Sequence, residues 1–398
     1  MRFADVTRRL AGLGGAKWAV YSEARARIAK GSDIIEMTIG EPDVPVPADL
    51  VSATVDALHA GRTAYSNGRG EAALLDALAA RYSARWPRRF IPENFLTFPG
   101  TQTALYACIA AMAEAGDEVL VGDPMYATYE GVIRASGAEV VPVPLRAEHG
   151  FRMQAADLAA RITPRSRAIL LTSPHNPTGA ILTKQDLQAI GELAMAHDLW
   201  ILSDEVYEEL VFDGVAYTSP LALPEIADRV VSVASISKSH AAPGFRSGWC
   251  VGPEAFCAAL LPLSETMLFG NQPFIADMTT KAIRDGSSVA AEMTGRFQAR
   301  ARRLAERVTA ATTLNVAMPE AGMFCLIETT ATGMAGEAYA WDLLDHGVAV
   351  MPGTSFGDGL HHWVRVALTI EDSAFDHAVE RIIRHARAHG AVRQEEAV

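Results

Sequence analysis

Ser235-Ile236-Ser237-Lys238, followed eight residues later by Arg246, sets an amine beside two hydroxyls and a guanidinium. A lysine in apolar surroundings releases its proton more readily and becomes a nucleophile able to form a Schiff base with a carbonyl. The hydroxyls and the arginine fork suit a phosphate. The same four residues also fit an exposed loop lysine. Asp204 closes the apolar run Leu199 to Ser203, with Tyr207 three residues on. A carboxylate at a strand end can hold a proton on the nitrogen of a heterocycle and keep that ring an electron acceptor. It fits a helix N-cap equally well.

Further residues extend the set. In Ser173-Pro174-His175-Asn176-Pro177-Thr178-Gly179, rich in turn formers, the Asn176 amide stands between two prolines and is suited to bond a ring oxygen, as is the Tyr207 hydroxyl. Gly100-Thr101-Gln102 opens an expected helix, whose free N–H groups and positive dipole end favour phosphate. It is no P-loop, because no Gly-Lys-Ser/Thr follows. Tyr126 and Tyr129 begin the next expected helix; one could stack on a planar ring, or both could pack in the core. Arg365 lies in Trp363 to Leu368, where a charge among apolar neighbours calls for a carboxylate partner or a solvated strand face.

The pattern around these residues predicts what positions them. Short β-like runs at 118–121, 139–143, 167–172, 199–203, 230–234 and 248–251 alternate with helices expected at 101–113, 125–136 and 184–197. Such alternation predicts a mostly parallel sheet covered on both faces. Earlier, polar helical turns and a helical stretch from Trp18 to Lys30 precede an alternating run, 34–39. Gly40-Glu41-Pro42-Asp43 stops that run, and a helix is expected over 49–60. A long Arg-rich helix at 291–311 leads to a smaller α+β unit with strands at 323–328, 348–351 and 363–368 and a helix at 373–389. The tail, 393–398, is expected to fray.

Length and composition narrow the classes. At 398 residues two packed domains are expected. A net charge of −12 offers no uniform basic field, which argues against nucleic acid or an anionic membrane as partner. Four scattered cysteines without a CxxC pair suggest buried thiols in a reducing cytoplasm, and no metal site is expected. No signal peptide or membrane-length apolar run is found. No strand is followed by GxGxxG, so a nicotinamide oxidoreductase fits poorly. A cofactor-sensing regulator would need a basic recognition helix ahead of Gly40, and none is present.

Taken in order, Gly40-Glu41-Pro42-Asp43, Tyr65-Ser66-Asn67-Gly68-Arg69-Gly70, Gly100-Thr101-Gln102, Ser173 to Gly179, Asp204 with Tyr207, Ser235-x-Ser237-Lys238, Arg246 and Arg365 resemble the class I/II aminotransferases of fold type I. The resemblance covers nearly the whole chain. It implies an α/β fold with a mostly parallel seven-stranded sheet between helices and a smaller α+β domain. The implied division is an N-terminal arm with part of the small domain (1–45), a large cofactor-binding domain (46–285) and a small C-terminal domain (286–398).

The resemblance also implies pyridoxal 5′-phosphate as cofactor and ping-pong transfer of an amino group from an L-amino acid to a 2-oxo acid. Lys238 would hold the cofactor as a Schiff base and move the proton, Asp204 would face the ring nitrogen, and Asn176 and Tyr207 the ring oxygen. Gly100, Thr101, Gln102, Ser235, Ser237 and Arg246 would hold the phosphate, and Tyr126 would stack on the ring. Arg365 and the Gly40 backbone, with Asn176, would hold the substrate carboxylate. Tyr65 would reach the phosphate of a partner subunit in a homodimer. Where the family often has Gly-Trp-Arg, this chain has Gly244-Phe245-Arg246.

Phe151 to Gln154, Ile162 to Arg165, Met195 to Trp200 and Ser237 to His240 look like the arginine–pyruvate branch. A guanidinium substrate would need a facing carboxylate, for which Glu41 and Asp43 are candidates. Aspartate or aromatic transamination and a C–S lyase on the same scaffold are the alternatives.

Overall fold

A computed structural model describes residues 1–393, so the expected frayed tail falls outside it after Arg393. Short β1 (Ile35–Glu36) comes first; β2 (Phe95–Phe98), β3 (Glu118–Asp123), β4 (Glu139–Pro144), β5 (Ser166–Thr172), β6 (Trp200–Asp204), β7 (Val230–Ser235) and β8 (Gly248–Val251) follow. Strands β2 to β8 build a seven-stranded sheet in the order β2-β8-β7-β6-β5-β3-β4. Its pairs are parallel except those of β8, which runs against both β7 and β2. The central strands are buried over most of their length, and β6 carries Ile201 and Leu202 at no exposure. That double burial explains their continuous apolar runs.

Helices cover both faces. One core layer holds Leu74, Leu78, Ile169, Ile201 and Ile275, and the opposite one holds Leu105, Ile109, Leu170, Leu202 and Phe256. Alternate residues of β5 and β6 thus enter opposite layers, the period of two expected of a strand. Cys108, Cys250 and Cys257 lie buried and unpaired in the second layer.

The C-terminal strands β9 (Asn315–Ala317), β10 (Phe324–Glu328), β12 (Met351–Pro352) and β13 (Trp363–Ala367) form an antiparallel sheet in the order β12-β13-β10-β9, while β11 (Val348–Ala349) pairs in parallel with β1. The single strand expected at 348–351 is therefore two, split at Val350 between two sheets. An apolar run buried on both sides does not reveal such a change of partner. A third core joins Val20, Ala24 and Met37 to Phe297, Tyr339, Val366 and Phe375, so the N-terminal segment packs with the C-terminal unit.

The helix Ala290–Ala311 explains its arginines. Arg296 and Arg300 reach Asp43 at 2.9 and 2.6 Å, and Arg303 and Arg307 reach Asp376 at 3.1 and 3.0 Å. Asp43 is thereby committed to tying the segment after Gly40 to this helix. It is not free to face a substrate guanidinium, which removes one of the two expected carboxylates. The helix expected at 125–136 is shorter, Tyr129–Ser136, because Pro124 and the following turn hold Met125 to Thr128 outside it. No described helix is long and apolar enough to cross a membrane.

Candidate active site

Strand ends make the site. β5 ends at Thr172, β6 at Asp204 and β7 at Ser235, and these ends open on one cleft of about 240 Å³ beneath the C-terminal unit. Open parallel sheets bind ligands at such strand ends, where successive loops diverge. Gly40, Thr101, Gln102, Tyr126, Asn176, Asp204, Tyr207, Ser237, Lys238, Arg246 and Arg365, chosen from well-separated sequence segments, all line it.

Lys238 follows β7 by three residues and points its amine at the Gly40 carbonyl, to which Nζ donates at 2.8 Å. Burial lowers its pKa to about 8, against the attraction of Glu41, while Arg365 and Arg246 repel its proton. A buried amine of that kind is a nucleophile near neutral pH. Gly40 has to be glycine, since a Cβ there would enter the Phe324 ring.

Asp204 is buried at the end of β6. Its Oδ2 accepts the Tyr129 hydroxyl at 2.7 Å, and its Oδ1 accepts the Val206 N–H at 3.1 Å. Burial raises its pKa to about 6, partly offset by those two donors. A carboxylate so placed gains from a cationic partner in the cleft. It caps no helix, because the chain beyond it turns instead.

At the start of the helix Thr101–Met112, Gly100 (φ 85°) is the N-cap. A Cβ on it would collide with the Arg246 guanidinium. Arg246 itself adopts φ 52°, an uncommon backbone state for a non-glycine residue. Thr101 Oγ1 is buried at this helix start with no hydrogen-bond partner among the described residues. Gln102 Oε1 accepts the Thr128 hydroxyl at 3.0 Å. Ser235 sits behind the cleft wall, its Oγ accepting the Ser237 N–H at 3.3 Å.

Across the cleft, Arg365 is 2 % exposed. Its guanidinium lies between the Phe324 and Phe356 rings at 3.8 and 4.4 Å, donates from Nη1 to Asn176 Oδ1 at 3.0 Å and from Nη2 to the Thr38 carbonyl at 2.5 Å. Burial pushes its pKa down to about 10, so it stays charged at neutral pH. No carboxylate among the described residues pairs with it, and its Nε lacks a partner. A buried charge left so is costly without an anion to meet it. Asn176 also donates from Nδ2 to the Tyr207 hydroxyl at 3.4 Å. One amide thus links the buried Arg365 guanidinium to the Tyr207 phenol.

Tyr65 lies outside this cleft. It is 91 % exposed and its ring stands 5.7 Å from that of Phe269. Several cleft residues escaped the sequence reading: Trp18, Ile39, Thr172, Val206, Pro243 and Phe324. Trp18 lies some two hundred residues from Lys238 and carries no motif. Tyr129, which the sequence leaves as a stacking or core residue alongside Tyr126, instead bonds Asp204.

The family profile "Aminotransferase class I and II" matches residues 32–382. The arginine–pyruvate transaminase AruH of Pseudomonas aeruginosa is 43% identical over 383 residues, 96% of this chain and 97% of its own length. The aspartate/prephenate aminotransferase of Thermus thermophilus is 30% identical, covering 92% of this chain and 94% of its own. Among solved structures, the aspartate aminotransferase of Thermus thermophilus with maleate superposes with a TM-score of 0.90 at 30% identity, covering 97% of this chain and all of that one. With that sheet, that cleft and these relatives, the chain belongs to the class I and II aminotransferases and has their fold type I architecture.

Proposed function

We propose that this aminotransferase works with pyridoxal 5′-phosphate bound in the cleft and carries an amino group from an L-amino acid to a 2-oxo acid. The observation that carries the reading is the convergence of Lys238, Asp204 and Arg365 on one cavity, a buried amine, a buried acid and a buried cation without a carboxylate. The residues present fit the cofactor. Thr101 Oγ1, unpartnered at a helix start beside Arg246, suits its phosphate, and Asp204, a buried carboxylate whose charge burial penalises until a cation meets it, suits a cationic ring nitrogen.

When bound, the cofactor supplies the electron sink for the charge left on the substrate Cα. Gly100, Thr101, Gln102, Ser235, Ser237 and Arg246 would hold its phosphate side, Tyr126 its ring face, and Asn176 and Tyr207 its ring oxygen. Arg365 would take the substrate carboxylate, helped by Asn176 and the Gly40 backbone, and so orient Cα. Lys238 Nζ would remove the Cα proton and return it on the cofactor side, the ping-pong exchange running once in each direction. The 1–45, 46–285 and 286–398 division is proposed with it, the cleft being lined by residues of all three parts. Exposed Tyr65, Met267 and Phe269 support a homodimer in which Tyr65 reaches a partner's phosphate site. The four unpaired buried thiols support a reducing, cytoplasmic setting.

An arginine-type donor is favoured by the similarity to the Pseudomonas transaminase. Glu41, whose charge acts on Lys238, is the carboxylate left to meet a guanidinium once Asp43 is engaged. The test is a donor screen with pyruvate and 2-oxoglutarate as acceptors. Arginine with pyruvate is expected to lead. Preference for aspartate or aromatic donors would overturn the arginine assignment, and release of pyruvate and ammonia from cystathionine without an oxo acid would overturn transamination itself.

A further inference from the structure

Four donor side chains converge away from the cleft, where two helices of the C-terminal unit end. Asp342 and His346 stand one turn apart at the end of the helix Gly336–Asp345, His346 being its cap. His385 and His389 are spaced identically at the end of the helix Asp372–Ala388, with His389 at the cap. Residues four apart share a helical face. Each helix therefore offers a pair of ligands, and the two pairs meet.

Asp342 Oδ2 is the common point. It lies 2.6 Å from His385 Nε2 and 3.3 Å from His389 Nε2, while His346 Nδ1 faces the Asp342 backbone carbonyl at 2.8 Å and leaves its Nε2 to serve as ligand. One ligand atom each from Asp342, His346 and His385 falls within 4.8 Å of the other two. The His385 ring centroid is 5.0 Å from that of His346 and 4.4 Å from that of His389. Zinc bonds to nitrogen and oxygen run about 2.0–2.2 Å, so tetrahedral ligand atoms lie about 3.4 Å apart. The Asp342–His389 separation is close to that value, and the Asp342–His385 pair has to open from 2.6 Å by side-chain adjustment.

Tautomers give an independent indication. His389 Nδ1 faces the His385 carbonyl at 2.9 Å, so it carries a proton. In a neutral ring Nε2 is then a lone pair, and here it confronts a carboxylate oxygen. Two acceptors at that distance repel unless a positive charge joins them. Binding of Nδ1–H to a carbonyl is also the arrangement that directs Nε2 of a histidine at a metal. Both helices bring the negative ends of their dipoles to this spot, which further favours a cation. Three imidazoles with one carboxylate select zinc-like ions over magnesium or calcium.

We propose that Asp342, His346, His385 and His389 bind a divalent transition cation of the zinc class, clamping the helix Gly336–Asp345 to the helix Asp372–Ala388. None of the four lines the catalytic cleft. The site is structural and independent of the reaction.

The test is zinc titration of the cofactor-loaded enzyme by calorimetry, with cobalt(II) absorbance reporting tetrahedral coordination. Saturable uptake of one ion per chain is expected, with a higher Tm in zinc and no response to magnesium. The His346→Ala, His389→Ala double variant changes one exposed and one half-buried side chain, leaving the fold and transamination intact. It should weaken zinc at least about tenfold, the loss that even an outer-shell change produces. No saturable uptake would overturn the proposal, as would equal affinity in the double variant, which would point to other surface histidines such as His361 and His362.

Discussion

The Tyr129 hydroxyl donates to Asp204 Oδ2 at 2.7 Å between two buried side chains, and the same hydroxyl meets Thr172 Oγ1 at 2.8 Å. The acid at the end of β6 is therefore aimed from the start of the helix that follows β3, two strands away in the sheet, by a residue outside the motif that contains it. A hydrogen bond to the charged form lowers a carboxyl pKa.

Tyr129→Phe removes that donor and leaves the ring. Burial already lifts Asp204 to about 6, and loss of the bond lifts it further. Bonds to charged groups contribute about 1.5–3 kcal/mol, so kcat/KM should fall about tenfold to a hundredfold. The acid limb of the pH profile should move to higher pH. An unmoved limb with wild-type kcat/KM would show that Tyr129 only packs.

Arg365→Lys keeps a charge but loses the planar fork held between Phe324 and Phe356. Lysine cannot span Asn176 and the Thr38 carbonyl while also meeting a carboxylate. For an amino acid donor kcat/KM should drop about a hundredfold, within the range for loss of a buried charge partner. For the corresponding amine without its carboxylate it should stay level. Equal losses on both would place Arg365 outside substrate binding.

Capture of cofactor by apoenzyme should depend on the free Lys238 amine, whose pKa burial lowers to about 8. Below that value the amine is protonated and cannot attack an aldehyde. The capture rate should climb about tenfold per pH unit below 8 and level off above it. Stopped-flow absorbance against pH measures this. A rate still climbing at pH 10 would mean an ordinary exposed lysine.

Burial pushes the Asp43 carboxyl up, but Arg296 and Arg300 outweigh it and hold it below its ordinary value. A depressed carboxyl contributes stability above the unfolded value, near 3.8, and loses it as pH falls through the folded one. Asp43→Asn should therefore melt several degrees below wild type at pH 7, with the gap closing under pH 4. Melting curves across that range decide it. A gap independent of pH would assign the loss to packing.

The sequence carried most of the large sheet because β5, β6 and β7 are buried on both faces and read as unbroken apolar runs. Lys238, Asp204 and Asn176 were legible for a related reason: each lies at or just beyond a strand end in a segment too specialised for a plain turn. Other parts were hidden by physics that acts between distant segments. The buried edge strand β2 and the helices Ala72–Arg85 and Pro273–Asp285 carried no distinguishing signal among apolar neighbours. Asp43 and Glu41 looked alike until the fold set Asp43 against two arginines. Nothing local told Tyr126 from Tyr129, and four residues at 342, 346, 385 and 389 meet only because two helices end side by side.

Lys238 is the residue proposed to carry the cofactor, and borohydride reduction of the purified enzyme tests this directly. Reduction fixes the cofactor to its lysine, and digestion with mass mapping then locates it. A phosphopyridoxyl group on the peptide containing Lys238, and on no other, is the predicted result. Its attachment to a different lysine, or an enzyme that transaminates without any such attachment, would contradict the account.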